Sequence, residues 1–215
     1  MSRIIYFGKV TNVDDEDGIG RVKVKFPALS DEVESEWLRI VRPTASSGFG
    51  HFFLPEVDDE VVVLKGGGED FNSMVVLGAV YNPTQTPKAA ETSAGELTTS
   101  QIVTRTGHEL TFEEKGGSEA ITLVTGDGKY SLELMQSGEL NINSDQKINI
   151  TGGADITIDA GMGKVAISAG SVEIKSTTGE IKIEATAGVT LKGNAPVTVE
   201  SSAILNLKGS MVNIG

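Results

Sequence analysis

The chain has 215 residues, 39% hydrophobic but only 5% aromatic, with a formal net charge of −12 and no cysteine. An acidic surface is repelled by nucleic-acid phosphates and anionic headgroups, which excludes wrapping of nucleic acid and electrostatic adhesion to a membrane. Without cysteine there are no disulfides and no thiolate metal sites; with no signal peptide's apolar region and no bilayer-length apolar run, the chain is expected to be made and folded as a soluble cytosolic product.

From Ile4 to Val13, IIYFGKVTNV reads as a strand with a glycine break, and DDEDG (Asp14 to Gly18) as a solvated turn that lacks the spaced acids of a calcium loop. GRVKVKF (Gly20 to Phe26) alternates strictly. Val22, Val24 and Phe26 face one way and Arg21, Lys23 and Lys25 the other, a half-buried strand ended by Pro27. The four acids between Asp31 and Glu36 are expected to neutralise that basic triplet, which argues against an oligonucleotide-binding face.

WLRIVR (Trp37 to Arg42) is the next strand. GFGHFFLP (Gly48 to Pro55) is a loop of three Phe in which His51 reads as a packing or interface residue; the other histidine, His108, is far away, so no metal site is expected. A turn at Asp58 and Asp59 leads into EVVVL, Gly66 to Gly68 form a hairpin tip without the GK[ST] of a phosphate loop, and MVVLGAVY (Met74 to Tyr81) is a near-continuous apolar strand. Five strands and no amphipathic helix predict a small OB-like barrel over 1–82. Trp37, six of the seven Phe and two of the three Tyr precede residue 90, so this part can build a conventional globular core. Residues 83–100, rich in Pro, Thr, Ala and Ser, read as a linker, and 101–139 as a neck.

From Leu140 onward apolar residues two apart return every 7–9 residues, eight on average: Leu140/Ile142, Ile148/Ile150, Ile156/Ile158, Val165/Ile167, Val172/Ile174, Ile181/Ile183, Val189/Leu191, Val197/Val199, Leu205/Leu207 and Val212/Ile214. Only strand geometry puts residues i and i+2 on one face, and the period fits neither an α-helix nor a heptad. One repeat cannot bury enough to offset the cost of ordering it, so repeats must stack. Either one chain coils with three repeats per turn, about 15 Å tall, or three chains interwind with one repeat each per turn, about 50 Å tall. The second is favoured because no capping repeat is visible. The fold class is therefore all-β, an N-terminal OB barrel followed by a trimeric interwound β-helix over 140–215, with dyads Ile148 to Leu207 as its core.

GRVKVKFP, WLRIV, GFGHFFLPEVDDEVVV and VVLGAVYN resemble successive strands of the OB domain in phage baseplate assembly protein V and the VgrG spikes of type VI secretion, and TRTGHELTFEE (Thr104 to Glu114) resembles their neck. The resemblance implies a homotrimer whose barrels form a collar on a hub protein, and whose needle, central in a contractile tail's baseplate, touches the target envelope transiently as it pierces it. It implies assembly into a virion or phage-tail-like particle. With no hub domain ahead of the barrel, the hub is expected to be a separate chain. Asp58 stands where the family usually has a turn glycine. The 83–100 run is too short for the lysozyme domain some relatives insert, and no histidine follows His108 to build an iron-binding H-x-H apex. The resemblance instead implies a PAAR-type tip protein over Met211, Val212, Asn213, Ile214 and Gly215. No cofactor is expected. The competing reading is a polysaccharide- or peptidoglycan-degrading β-helical tail enzyme, which would need carboxylates clustered in a groove, whereas Glu173, Glu180, Glu184 and Glu200 alternate with lysines.

Overall fold

The computed structural model describes residues 4–30, 32–66, 73–88 and 92–213. The tip expected at Gly66 to Gly68 falls largely outside them, as do Asp31, Ile214 and Gly215. Two compact units divide at Ile150 and Thr151.

In the first unit a five-stranded sheet has the order β2-β1-β6-β7-β3, from β1 (Ile5–Asn12), β2 (Lys23–Lys25), β3 (Arg39–Ile40), β6 (Glu60–Lys65) and β7 (Met74–Ala79). Neighbours are antiparallel except β3 and β7, which run parallel. The sheet closes where Val22 N–H donates to Leu38 O (3.0 Å) and Leu38 N–H to Val22 O (2.8 Å). This is an OB barrel. Bulges at Val10/Asn12 and Val62/Val63 supply the extra twist that closure needs.

Gly8 does not break β1, as the sequence suggested. A Cβ there would lie 2.3 Å from Val24 Cγ1, so the missing side chain lets β2 pack closely. The core is mostly aliphatic. Val10, Val22, Val24, Val61, Val63 and Val76 fill it with Phe26, Leu38 and Met74, while Phe49, Phe52 and Phe53 are exposed. A barrel this narrow is filled by short branched side chains pointing inward from every strand. Asp58 adopts φ 79°, the left-handed geometry expected where it replaces a glycine.

The 83–100 run, read as a linker, carries structure. Asn82 Oδ1 accepts the N–H groups of Thr84 and Gln85, and Lys88 is ion-paired with Glu109. A hairpin joins β8 (Thr92–Ser93) to β9 (Glu96–Leu97) through Ala94 and Gly95, both at positive φ. A second short hairpin, β4 (Ala45–Ser46) with β5 (Phe49–Gly50), lies in the aromatic loop.

An antiparallel meander follows: β10 (Thr99–Val103), β11 (Glu109–Glu113), β12 (Ala120–Val124), β13 (Tyr130–Met135) and β14 (Leu140–Ser144). It begins inside the expected linker and ends beyond the expected neck. The first dyad, Leu140/Ile142, is thus its last strand. Arg105 in its first turn pairs with Glu56 of the barrel at 3.0 Å.

In the second unit no residue from 151 to 213 belongs to a hydrogen-bonded strand, and all are exposed. Bends recur at 153–154, 161–163, 170, 177–179, 186–187, 194–195, 202–203 and 210, one for each turn between dyads. The core expected from the dyads is therefore not closed by one chain. Ile158 and Ile167, expected inside, are 74% and 72% exposed. The reason is geometric: each short turn carries the chain onward, so no later segment returns to cover them.

Candidate functional site

Part of the charge on the barrel is paired locally. Asp15 is 3% exposed at its side chain; Oδ1 accepts Arg21 Nε at 3.0 Å and Oδ2 the Arg21 backbone N–H at 3.1 Å, while Asp17 closes on the same guanidinium. Arg21's side-chain hydrogen bond, opposed by desolvation, holds the Asp15 carboxyl far below the usual carboxylate range. The DDEDG turn is therefore a clamp and not merely a solvated turn. Of the basic triplet, Arg21 is neutralised from that side, and from the 31–36 segment, among the described residues, Glu34 approaches Lys23 (4.0 Å). Arg21 and Lys23 also lie over the Trp37 ring at 5.9 and 5.5 Å.

The aromatic loop is bracketed by Arg42. Its guanidinium donates to Phe53 O (2.8 Å), His51 O (3.4 Å) and Gly20 O (3.2 Å) and covers the Phe52 ring at 4.8 Å. Thr44 Oγ1 meets His51 Nδ1 at 2.9 Å, so His51 packs within the loop; His108 Nδ1 accepts the Gly126 N–H at 3.2 Å. Both histidines are occupied in holding turns.

The meander has one apolar face. Residues directly opposite in antiparallel strands point the same way. Two rows cross all five strands, Ile102, Leu110, Leu123, Leu132, Ile142 and Ser100, Phe112, Ile121, Leu134, Leu140. The other side carries Gln101, Thr111, Thr122, Glu133 and Asn141. None of the apolar rows is fully buried. The sequence held this signal in its two-residue alternation, but only the strand register aligns ten residues into one surface.

From Ile148 to Val212 the described dyad residues are 51–74% exposed. The structure does not bring them together within one chain; they follow one another in single file. This holds for Ile148, Ile150, Ile156, Ile158, Val165, Ile167, Val172 and Ile174 as for Ile181, Ile183, Val189, Leu191, Val197, Val199, Leu205 and Leu207, so any core they form is shared between chains. Among the described residues, hydrogen bonds there are confined to bends, as where Gly163 N–H donates to Ala160 O and Gly161 N–H to Asp159 Oδ1. Lys182 and Glu184, on the side opposite Ile181 and Ile183, pair at 2.8 Å. Of the proposed tip residues, Met211, Val212 and Asn213 are exposed. The result is an evenly spaced aliphatic row, with an unpaired backbone, that no described residue of the same chain buries.

Residues 6–81 match the model of the type VI secretion system/phage-baseplate injector OB domain. The chain is 35% identical over 114 residues to the type VI secretion system spike protein VgrG3 of Vibrio cholerae, covering 50% of this chain and 11% of that protein. It is 32% identical over 114 residues to the actin cross-linking toxin VgrG1 of the same species, covering 50% of this chain and 10% of that protein. To the spike protein VgrG2a of Pseudomonas aeruginosa it is 29% identical over 125 residues, or 55% of this chain and 15% of that one. The chain thus spans about a tenth of the length of the curated relatives it matches. Residues 6–81 thus carry the injector OB domain shared by type VI secretion systems and phage baseplates, and about half of the chain is similar to VgrG spike proteins.

Proposed function

We propose that this chain is the central spike of a contractile baseplate, a homotrimer whose 140–215 segments interwind into a rigid needle that pierces the target envelope when the sheath contracts. One observation carries the reading: a single copy leaves every described dyad from Ile148 to Leu207 exposed and pairs none of the backbone between 151 and 213 with another strand. A coiled single chain would bury those dyads against its own turns. Three copies give each strand a neighbour above and below and give the aliphatic row a closed, dry axis. Stiffness follows from bonding in every layer, because bending must break many contacts at once.

At the barrel end the partner is a baseplate hub, and at the other end a PAAR-type tip protein covers Met211 to Gly215. Contact with the envelope is mechanical and transient, and assembly places the protein in the baseplate of a virion or phage-tail-like particle. Catalysis is not part of the role: the acids of the repeat are spread along the outer face, not gathered in a groove. Light scattering of the full chain tests the reading. A mass near three times 22.6 kDa is expected, and a stable monomer overturns it.

A further inference from the structure

The dyads explain why copies associate but not how they find one alignment. Val, Ile and Leu are nearly interchangeable as apolar filling, so a copy displaced by a whole repeat along the axis buries almost the same surface. Something on the outer face must distinguish the registers.

The residue that follows five successive dyads, from Val172/Ile174 to Leu205/Leu207, carries that information. After Ile174, Ile183, Leu191, Val199 and Leu207 come Lys175, Glu184, Lys192, Glu200 and Lys208, five charges of strictly alternating sign. Strand alternation turns each of them away from the dyad side, and all are exposed. Within one chain they cannot meet, because eight residues of extended backbone span about 26 Å. The ion pair that one copy does form, Lys182 with Glu184, joins side chains only two residues apart.

We propose that these five residues form an intercopy charge ladder that sets the register of the trimer; the inference rests on the three-chain reading above. When three parallel chains interwind, each face is built from successive chains, so repeat n of one copy lies beneath repeat n+1 of the next, about 4.8 Å away. At that spacing Lys175 stands against Glu184 of the next copy, Glu184 against Lys192, Lys192 against Glu200, and Glu200 against Lys208. Every contact is attractive. A slip of one repeat in either direction sets Lys on Lys and Glu on Glu throughout. The ladder thus contributes less by the strength of its exposed pairs than by penalising the two nearest wrong alignments.

Co-expression of the wild-type chain with a fully sign-reversed chain (Lys175→Glu, Glu184→Lys, Lys192→Glu, Glu200→Lys, Lys208→Glu), distinguished by tag mass and read by native mass spectrometry, tests this. Each chain alone keeps an intact ladder, but mixed trimers set like charges together. The expected result is two populations of homotrimer, with mixed species far below the share that random association produces. Trimers of random composition overturn the ladder alone. A monomeric wild-type mass overturns the three-chain reading and the ladder with it. A second measurement does not depend on mixing. Lys192→Glu puts like charges above and below in all three copies, and its melting temperature is expected to fall by about 5 °C at low ionic strength, with most of the loss recovered in about 1 M salt. An unchanged melting temperature, or a loss that salt does not reduce, overturns the proposal.

Discussion

Val61 and Val63 in β6 and Val197 and Val199 in the repeat are the same local motif, two valines on one side of an extended segment. The first pair is 0% exposed and the second 58% and 63%. The strand around Val61 has β1 on one side and β7 on the other, so its backbone and its side chains are satisfied by the chain that contains them. The strand around Val197 has no neighbour of its own. A single chain therefore contains one region whose core is closed in cis and one whose core is left open. The difference lies in connection length. The barrel's loops let distant strands return to one another, whereas four- to five-residue turns between eight-residue repeats carry the chain onward and never back. The stability of the first region belongs to the chain; on the three-chain proposal, that of the second is expected to depend on concentration and on other copies.

The largest effect expected from this contrast is Ile181→Asp. In a closed trimer it places three carboxylates in one apolar layer, which neither burial nor pairing offsets. Light scattering is expected to show loss of the trimer, while the near-ultraviolet signal of Trp37 in the barrel persists. A trimer that survives would mean that Ile181 does not face a shared interior. Phe26→Ala is the converse. Removing the largest fully buried side chain of the barrel is expected to cost about 3–5 kcal/mol, read from urea unfolding of the Trp37 signal, with a midpoint shift that does not change on dilution.

A smaller effect separates the barrel by pH. Arg21 holds the Asp15 carboxyl below its ordinary value of 3.8, so in acid the unfolded chain binds this proton before the folded one does. The contribution to stability is complete above that ordinary value and is lost as the pH falls below it through the depressed one. Wild type is therefore expected to melt above Asp15→Asn at neutral pH, with the gap closing as the pH falls below about 4. A gap that stays constant into acid would show that the clamp acts through shape and not charge.

The smallest expected effect is Asp58→Gly. Glycine accepts φ 79° without the steric cost borne by a side chain, and the exposed Lys9 pair that Asp58 forms contributes little. A gain of about 0.5–1 kcal/mol in barrel unfolding is expected. Destabilisation would mean that the Lys9 contact outweighs the backbone relief.

Much of the chain was legible before any coordinates. The strict alternation of GRVKVKF predicted Val22, Val24 and Phe26 inside, and the eight-residue dyad period matches the bends that recur between dyads. These are local signals, since period two and period eight follow from backbone geometry within a few residues. The Asp58 backbone was legible for the same reason: few residue types tolerate that geometry. What the sequence could not show depended on residues far apart along the chain. Gly8 reads as a strand breaker until Val24 is placed against it. The DDEDG acids read as solvent-facing until Arg21 folds back onto Asp15. Phe49, Phe52 and Phe53 read only as a loop until Arg42 is placed over the Phe52 ring. Ile158 and Ile167 read as core too, yet no segment of their own chain covers them. The meander's apolar face exists only once five strands are in register. Pattern decided which residues must be covered; only the tertiary structure decided which of them the chain covers by itself. Burial is a property of pairs of segments, and no single segment encodes its partner.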